Sequence, residues 1–388
     1  MKICVAGNNA LGSLIAHHIR LATPSSHSVT LLHRNEIDAF EAPTGFSLRA
    51  RNTTTTSSGI ENDTFKPTRT AATPIESLIL ATRPYWSVRV LEQLAPRLAP
   101  HSTIVLVQNG HGLAIYDRAI RKLFADRNTR PHFIFANTTH TGYFEPGRPR
   151  ILHHTNVGTL QFGIARDPSG RNFEASLSSA SSDTPVHDRT LRLSDVAASA
   201  NDDQFLRYRS LRNTIAAMLL SESLNTSWKP VQHIQWALRS NLVSNSIIQP
   251  LSSIIGCPTR EIFQQASAVN IARRICVEAT RVFKQEHQLM AKKSIVEDID
   301  GRLIGVGRLP AMLDEGRLLG DCLKYAEESI YEADMLKSMR HHRPPEVSYL
   351  NGYLLLMGKT YGIQMPTTAA VADLVRLRYH IPLDNIST

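Results

Sequence analysis

Four cysteines are all that 388 residues contain, Cys4, Cys257, Cys276 and Cys322, and no two stand in C-x-x-C spacing. Their scarcity excludes a disulfide scaffold and points to reduced core thiols in an intracellular protein. Long apolar runs are missing too. None approaches the roughly 20 residues that a bilayer-crossing helix needs, so no membrane span is expected. Acidic residues are absent before Glu36, whereas Lys2, His17, His18, Arg20 and Arg34 all precede it. Acid-poor amino termini of this kind favour organelle import, which makes a mitochondrial location the expectation and a cytoplasmic one the alternative. A strand pattern begins at Lys2, so any import signal is expected to be retained. Metal-ligand spacing is also wanting. His153 and His154 are neighbours on a strand and point to opposite faces, and no metal is assigned.

What is present is a chain with 42% hydrophobic and 20% charged residues, long enough for two domains. Its net charge of +9 is compatible with a phosphate-bearing ligand, with RNA or with residence in a mitochondrion, and does not choose among them. The most informative stretch runs from Ile234 to Pro258. Leu238, Leu242, Ile247, Leu251 and Ile254 recur as a buried helix requires, and Gly256 and Pro258 supply the stop. Three carboxamides, Asn241, Asn245 and Gln249, stand four residues apart and so share one helix face. The mostly apolar remainder of the helix argues that this stripe lines a cleft at a hinge between domains; a solvated surface stripe is the other reading. Pro250 removes a backbone donor within the helix and invites a kink.

Lys2 to Gly7 is a short apolar strand, followed by Asn8, Asn9, Ala10, Leu11 and Gly12 and then a helical pattern. Strand, tight turn and helix open a dinucleotide-binding unit, in which glycines permit the sharp bend, the approach of a pyrophosphate and the packing of helix on strand. Gly7 and Gly12 take the first and third places. Asn9 takes the second and brings a side chain toward the pyrophosphate position. The same two glycines would also serve an ordinary strand-to-helix turn. A second strand from Val29 to His33 ends at Arg34, which suits the 2′-phosphate of NADP, or is an exposed loop cation. Further strands are expected at 77–82, 103–107, 132–136, 151–154 and 159–162. Arg83 and Asn109 follow the carboxyl ends of two of them, where a parallel sheet holds its ligand crevice. Residues 51–69 read as a variable polar loop and 167–203 as a mobile insertion. Helices are expected at 205–223, 260–290, 309–340, from Glu346 to Tyr361, and after Pro366. The fold class is α/β: a Rossmann-like amino-terminal domain over 1–230 and an all-helical domain over 231–388.

The segments Lys2 to Gly12, Gln108-Asn-Gly-His-Gly112, Asn137-Thr-Thr-His140, Gln249 to Pro258 and Glu346 to Tyr353 together resemble the NADPH-dependent ketopantoate reductase family. That resemblance implies a carboxy-terminal fold like that of 6-phosphogluconate dehydrogenase, with NADP as cofactor and a small 2-keto acid, 2-dehydropantoate, as substrate. It also implies site residues. Arg34 would hold the 2′-phosphate, the turn Gly7 to Gly12 the pyrophosphate, Asn109 the nicotinamide-side ribose or the substrate, and Glu346 the substrate hydroxyl. The family's general-acid lysine falls on Asn241, its two helix asparagines on Asn245 and Gln249, its substrate serine on Asp334, and a lysine after the fourth strand on Arg83.

A neutral amide cannot deliver a proton, and a missing general acid typically lowers rate by about 10²–10⁴. Arg239 lies about 200° round the helix from Asn241, and Lys229 precedes the helix, so neither replaces the lysine directly. Impaired reductase activity is therefore expected, with weak NADPH binding because of Asn9. The alternative is a non-catalytic relative resembling the cytochrome b translational activators of fungal mitochondria, with RNA or a translation component as partner. The arginines of 207–212 and 376–378 are compatible with it, and equally with solvated helix faces. A dimer is the expected assembly in the reductase reading.

Overall fold

The computed structural model describes residues 1–33, 46–50, 53–56, 59–64, 74–178, 190–197, 204–297, 309–329 and 332–381. They form two compact units, Met1–Gln235 and Trp236–Thr388. The first holds an eight-stranded sheet of β1 (Lys2–Ala6), β2 (Ser28–His33), β5 (Ile60–Thr64), β6 (Ser77–Leu80), β7 (Thr103–Val107), β8 (His132–Thr138), β11 (Leu160–Ile164) and β12 (Thr226–Trp228). Their order is β12-β11-β8-β7-β6-β1-β2-β5. All pairings are parallel except that of β8 with β11. Parallel strands are covered on both faces, and this explains the unbroken apolar runs: every residue of β6 and β7 is buried. Helices α1 (Ala10–Ala22), α2 (Pro84–Leu94) and α3 (Gly112–Lys122) follow β1, β6 and β7. The chain runs from β1 to β2 on one side and places β6 on the other, so the order of connection reverses at the carboxyl ends of β1 and β6. This is where sheets of this type bind ligands.

A second, four-stranded sheet was not anticipated. It comprises β3 (Ser47–Ala50), β4 (Thr53–Thr56), β9 (Thr141–Glu145) and β10 (Arg148–Asn156), in the order β4-β3-β10-β9. The expected polar loop at 51–69 is thus corrected. Its threonine run pairs antiparallel with β3, and Ile60–Thr64 becomes the edge of the large sheet. A run of threonines carries no apolar alternation, but β-branching suits an extended strand. The expected mobile insertion is corrected at both ends. Short helices α4 (Ala175–Ser178) and α5 (Leu193–Val196) form, with Phe173, Val196 and Ala197 in the core. On α6 (Phe205–Leu219), Tyr208 is fully buried; its hydroxyl donates to Asp167 Oδ2 at 2.7 Å, and the Arg171 guanidinium lies 4.3 Å over its ring.

The second unit is helical, as expected. After α7 (Val231–Ile255) come α8 (Thr259–Ile262), α9 (Ala266–Glu297), α10 (Glu315–Glu328), α11 (Asp334–Arg340), α12 (Asn351–Tyr361) and α13 (Pro366–His380). The single helix expected over 309–340 is two, α10 and α11. Glu278 of α9 accepts from Thr367 N, Thr368 N and Thr368 Oγ1 at 2.8, 3.0 and 2.7 Å, placing a carboxylate on the amino-terminal N–H groups of α13. Cys4, Cys276 and Cys322 are buried free thiols, and burial pushes Cys4 up to about 11 and Cys276 to about 12. No helix among the described residues is long and apolar enough to cross a membrane.

Candidate functional site

At the end of β1 the chain turns through Gly7 at φ 141°. A methyl group on Gly7 would lie 2.7 Å from Ala81 O, and one on Gly12 would lie 2.1 Å from Gly7 O. Both contacts are with backbone, so neither position accepts a side chain without moving the turn. They hold the bend and helix-packing places that the dinucleotide-binding pattern assigns to glycine.

Asn9 is not in a left-handed conformation. It is the extended N-cap of α1, φ −133° and ψ 172°. Its Oδ1 accepts from Gly12 N at 2.9 Å and its Nδ2 donates to Ala81 O at 2.7 Å. Capping of this kind contributes typically about 1 kcal/mol. The cradle donor at Gly12 is thereby occupied from within the chain, which leaves the N–H groups of Ala10 and Leu11 in the first turn for an incoming anion. The turn presents first-turn N–H groups of the kind that bind anions, and Asn9 takes up one of them.

Two more carboxamides work the same rim. Gln108, which the sequence reading passed over, donates through Nε2 to Thr82 O and to Ser87 Oγ. Asn109 donates to Thr138 O and accepts from Thr138 N at 3.0 Å. Asn9, Gln108 and Asn109 thus tie β1 to β6, β6 to β7, and β7 to β8 at their carboxyl ends. Asn109, expected at the ribose or substrate, has one donor and one acceptor on its neighbour's backbone. Arg83 is exposed and caps α2 with its carbonyl, which receives Trp86 N and Ser87 N. His111 donates from Nδ1 to Asn109 O at 3.0 Å, and burial lowers it to about 4. Arg34 lies outside the described residues.

In the second unit, Asn241, Asn245 and Gln249 are the half-buried positions of a helical segment whose other residues from Leu242 to Pro250 are all buried. The stripe is real as a face of α7. Asn245 Nδ2 donates to Asn241 O within the helix at 2.9 Å, and Gln249 Oε1 accepts from Met335 N in the first turn of α11 at 3.0 Å. Pro250 leaves Ser246 O without its usual helical donor. The fully buried Asn351 supplies the replacement, Nδ2 donating to Ser246 O at 2.9 Å. No periodicity links residues 105 apart, so this partner was not foreseen.

Glu346 is buried, at 7% exposure, in the 3-10 turn Glu346–Ser348. Asp334 is different. Its carboxylate is 68% exposed and lies 3.8 Å from Lys337 Nζ, so solvent and a cation screen its charge. Arg239 is bound to Glu286 at 2.7 Å with both side chains mostly buried, which agrees with its expected position away from Asn241. Lys229 is exposed, and its N–H donates to Phe162 O at 2.8 Å. Of the arginines considered for RNA, Arg209 pairs with Glu76, Arg207 lies 6.0 Å from the Tyr208 ring, and Arg376 pairs with Asp373. Among the described residues no group of three His, Cys, Asp or Glu side chains could hold a metal ion.

The chain is 22% identical to a probable 2-dehydropantoate 2-reductase of Schizosaccharomyces pombe, over 97% of this chain and 96% of that one. Its fold is similar to D-mandelate dehydrogenase solved with NADH and anilino(oxo)acetate, with TM-score 0.64 and 16% identity over 98% and 99% of the two chains. It is also similar to a dimeric ketopantoate reductase from Staphylococcus aureus, with TM-score 0.59 and 12% identity over 98% and 99%. The profile of ketopantoate reductase PanE/ApbA matches residues 3–167 and that of its C-terminal domain matches 233–379. With both profiles matched in order, one on each unit, the chain belongs to the ketopantoate reductase family.

Proposed function

We propose that this protein is a reductase-fold member whose reduction of a small 2-keto acid such as 2-dehydropantoate by NADPH is impaired at proton delivery. Hydride transfer to the keto carbon leaves an alkoxide, which needs a proton to become the hydroxy acid. Asn241 can hydrogen-bond that oxygen but cannot supply the proton. The observation that carries the reading is the engagement of the nearest cation on the same helix: Arg239 is held by Glu286 at 2.7 Å. Lys229, the other substitute, belongs to a segment pinned to β11 by its own backbone bond. The hold of Asn9 on Gly12 N and Ala81 O supports a second weakness, in NADPH binding. Glu346 keeps the role of contact to the substrate hydroxyl, and Asn245 and Gln249 that of orienting the keto acid, each with one amide atom beyond its internal bond. A dimer, the state named for the S. aureus relative, goes with this reading.

Single-turnover loss of NADPH absorbance with ketopantoate tests the proposal. The wild type should be about 10²–10⁴ slower than a relative that keeps the lysine. Asn241→Lys combined with Asn9→Gly should recover more than Asn241→Lys alone. Wild-type turnover in the common range of about 1–10³ per second would overturn the proposal. The second reading, a binding role in mitochondrial translation or with messenger RNA, rests on the net charge of +9. Flat NADPH titration together with salt-sensitive RNA binding would favour it.

A further inference from the structure

Four imidazoles unused by keto-acid reduction are packed together in the first unit. His17 and His18 lie on α1, His140 between β8 and β9, and His154 on β10. Their ring centroids are 5.0 Å apart for 17 and 18, 6.1 Å for 18 and 154, and 5.1 Å for 154 and 140. None is more than 8% exposed. Hydrogen bonding fixes the protonation at one end. Gly158 N donates to His140 Nδ1 at 3.1 Å, so that nitrogen carries no proton, and His140 Nε2 donates to Leu224 O at 2.9 Å. His154 Nε2 lies 3.0 Å from the same Nδ1 and must therefore be the donor. At the other end His17 Nε2 meets Thr55 Oγ1 of β4 at 3.1 Å, while His17 Nδ1 and His18 Nε2 are buried with no hydrogen-bond partner. A second proton on either ring would be a buried charge, with an N–H that lacks an acceptor.

Among the described residues no acid on the surrounding elements is aimed at the cluster. Glu61 of β5 accepts from Thr30, Asp63 lies near Arg97, Glu145 of β9 holds His153, Arg49 and Arg148 on the opposite face of the small sheet, and Glu222 is exposed. Two nearby cations are turned elsewhere. Arg20 donates to the carbonyls of Thr23, Pro24 and His27, and Arg209 of α6 pairs with Glu76. The Tyr208 hydroxyl is bound to Asp167, and His33 of β2 to Asn62. Burial, and for His18 the neighbouring histidines, hold His17 and His18 down at about 4, and burial lowers His154. Among the described residues no carboxylate compensates a proton here, and only the backbone at Asn156 favours one, on His154.

The cluster forms the polar part of the seam between α1 and the four-stranded sheet, beside Phe46, whose ring is 5.7 Å from His17. We propose that this seam is an acid-operated latch: its neutral rings hold the small sheet on α1, and proton uptake by His18 and its neighbours releases the sheet from the helix whose first turn forms the cofactor cradle. A depressed histidine favours the closed state above its free value near 6.5, and that preference is lost as pH falls toward 4. Each such histidine should raise the open-to-closed ratio on the order of tenfold between pH 7 and 5.

Hydrogen exchange of the full chain by mass spectrometry tests this, with labelling times scaled for the intrinsic pH dependence of exchange. Peptides from β9, β10 and the second half of α1 should lose protection at least tenfold between pH 7 and 5, while peptides from β7 keep theirs. The double variant His18→Gln with His154→Gln keeps an amide donor near His140 but takes up no proton, and should hold its protection at pH 5. Unchanged protection in the wild type, or equal loss in the variant, would overturn the latch. If the variant does not fold, ring resonances of the wild-type histidines decide. Titration of His18 and His154 together with loss of sheet protection supports the proposal; titration near 6.5 with the sheet still protected refutes it.

Discussion

The two units use carboxamides in opposite ways. In the first, Asn9, Gln108 and Asn109 each bridge two strand ends, and what they bind is neighbouring backbone and, for Gln108, also the Ser87 hydroxyl. In the second, Asn245 bonds only within its own helix, and Gln249 caps one adjacent helix through a single atom. Amides of the first kind make a sheet edge rigid and leave less for a ligand. Those of the second kind form a helix face with polar atoms still to offer. The two amide sets therefore predict different responses to substitution.

The largest effect should come at the turn itself. Gly12→Ala places a methyl 2.1 Å from Gly7 O, and because the obstacle is backbone the cost should reach about 3 kcal/mol or more, read by denaturant unfolding. Acid should come next. His17, His18, His111 and His132 are all in the first unit, and burial lowers each to about 4. The folded state keeps them neutral, whereas the unfolded chain binds protons below about 6.5, so stability is full above that value and declines as pH falls toward 4. Calorimetry at pH 5 should show the first unit melting before the second; a single unshifted transition at both pH 7.5 and pH 5 would contradict this.

A smaller, sharper contrast separates the amides. Asn109→Ala uncovers the N–H and C=O of Thr138 and should cost about 1–3 kcal/mol. Asn245→Ala should stay within about 0.5 kcal/mol, since it removes only a bond to its own helix. Equal losses in urea unfolding would erase the distinction between the two sets. Asn9→Gly removes the bond to Ala81 O together with the cap, so its cost should exceed the few tenths of a kcal/mol of a bare cap exchange. Cofactor fluorescence should nonetheless show tighter NADPH binding, because Gly12 N is returned to the cradle. No change in affinity would mean that Asn9 yields to the cofactor without penalty.

The large sheet was legible because parallel strands are buried on both faces. Thr103–Val107 reads as a strand from its five residues alone. The small sheet was not, because Thr53–Thr56 is polar on both faces and its partner strand in sequence order, Ser47–Ala50, is too short to show alternation. The cradle glycines and the amide stripe were also visible, since each depends on local spacing. Asn9 was half legible. An asparagine directly before a helix is an N-cap signal, yet its second bond, to Ala81, depends on two strands meeting. The break between Glu328 and Asp334 was hidden because apolar spacing on either side of it continues in a helical rhythm.

Asn351 and Pro250 have a consequence for how this sequence can change over time. Asn351 donates to the carbonyl that Pro250 has stripped of its helical partner, so the two residues answer each other across the core. Losing Asn351 first exposes a buried carbonyl. Losing Pro250 first supplies a helix donor that Asn351 must then share or surrender. Losing Asn351 first passes through a less stable chain, whereas losing Pro250 first restores a helical bond, so the order of the two changes should matter. Such a pair can remain fixed for reasons unrelated to catalysis.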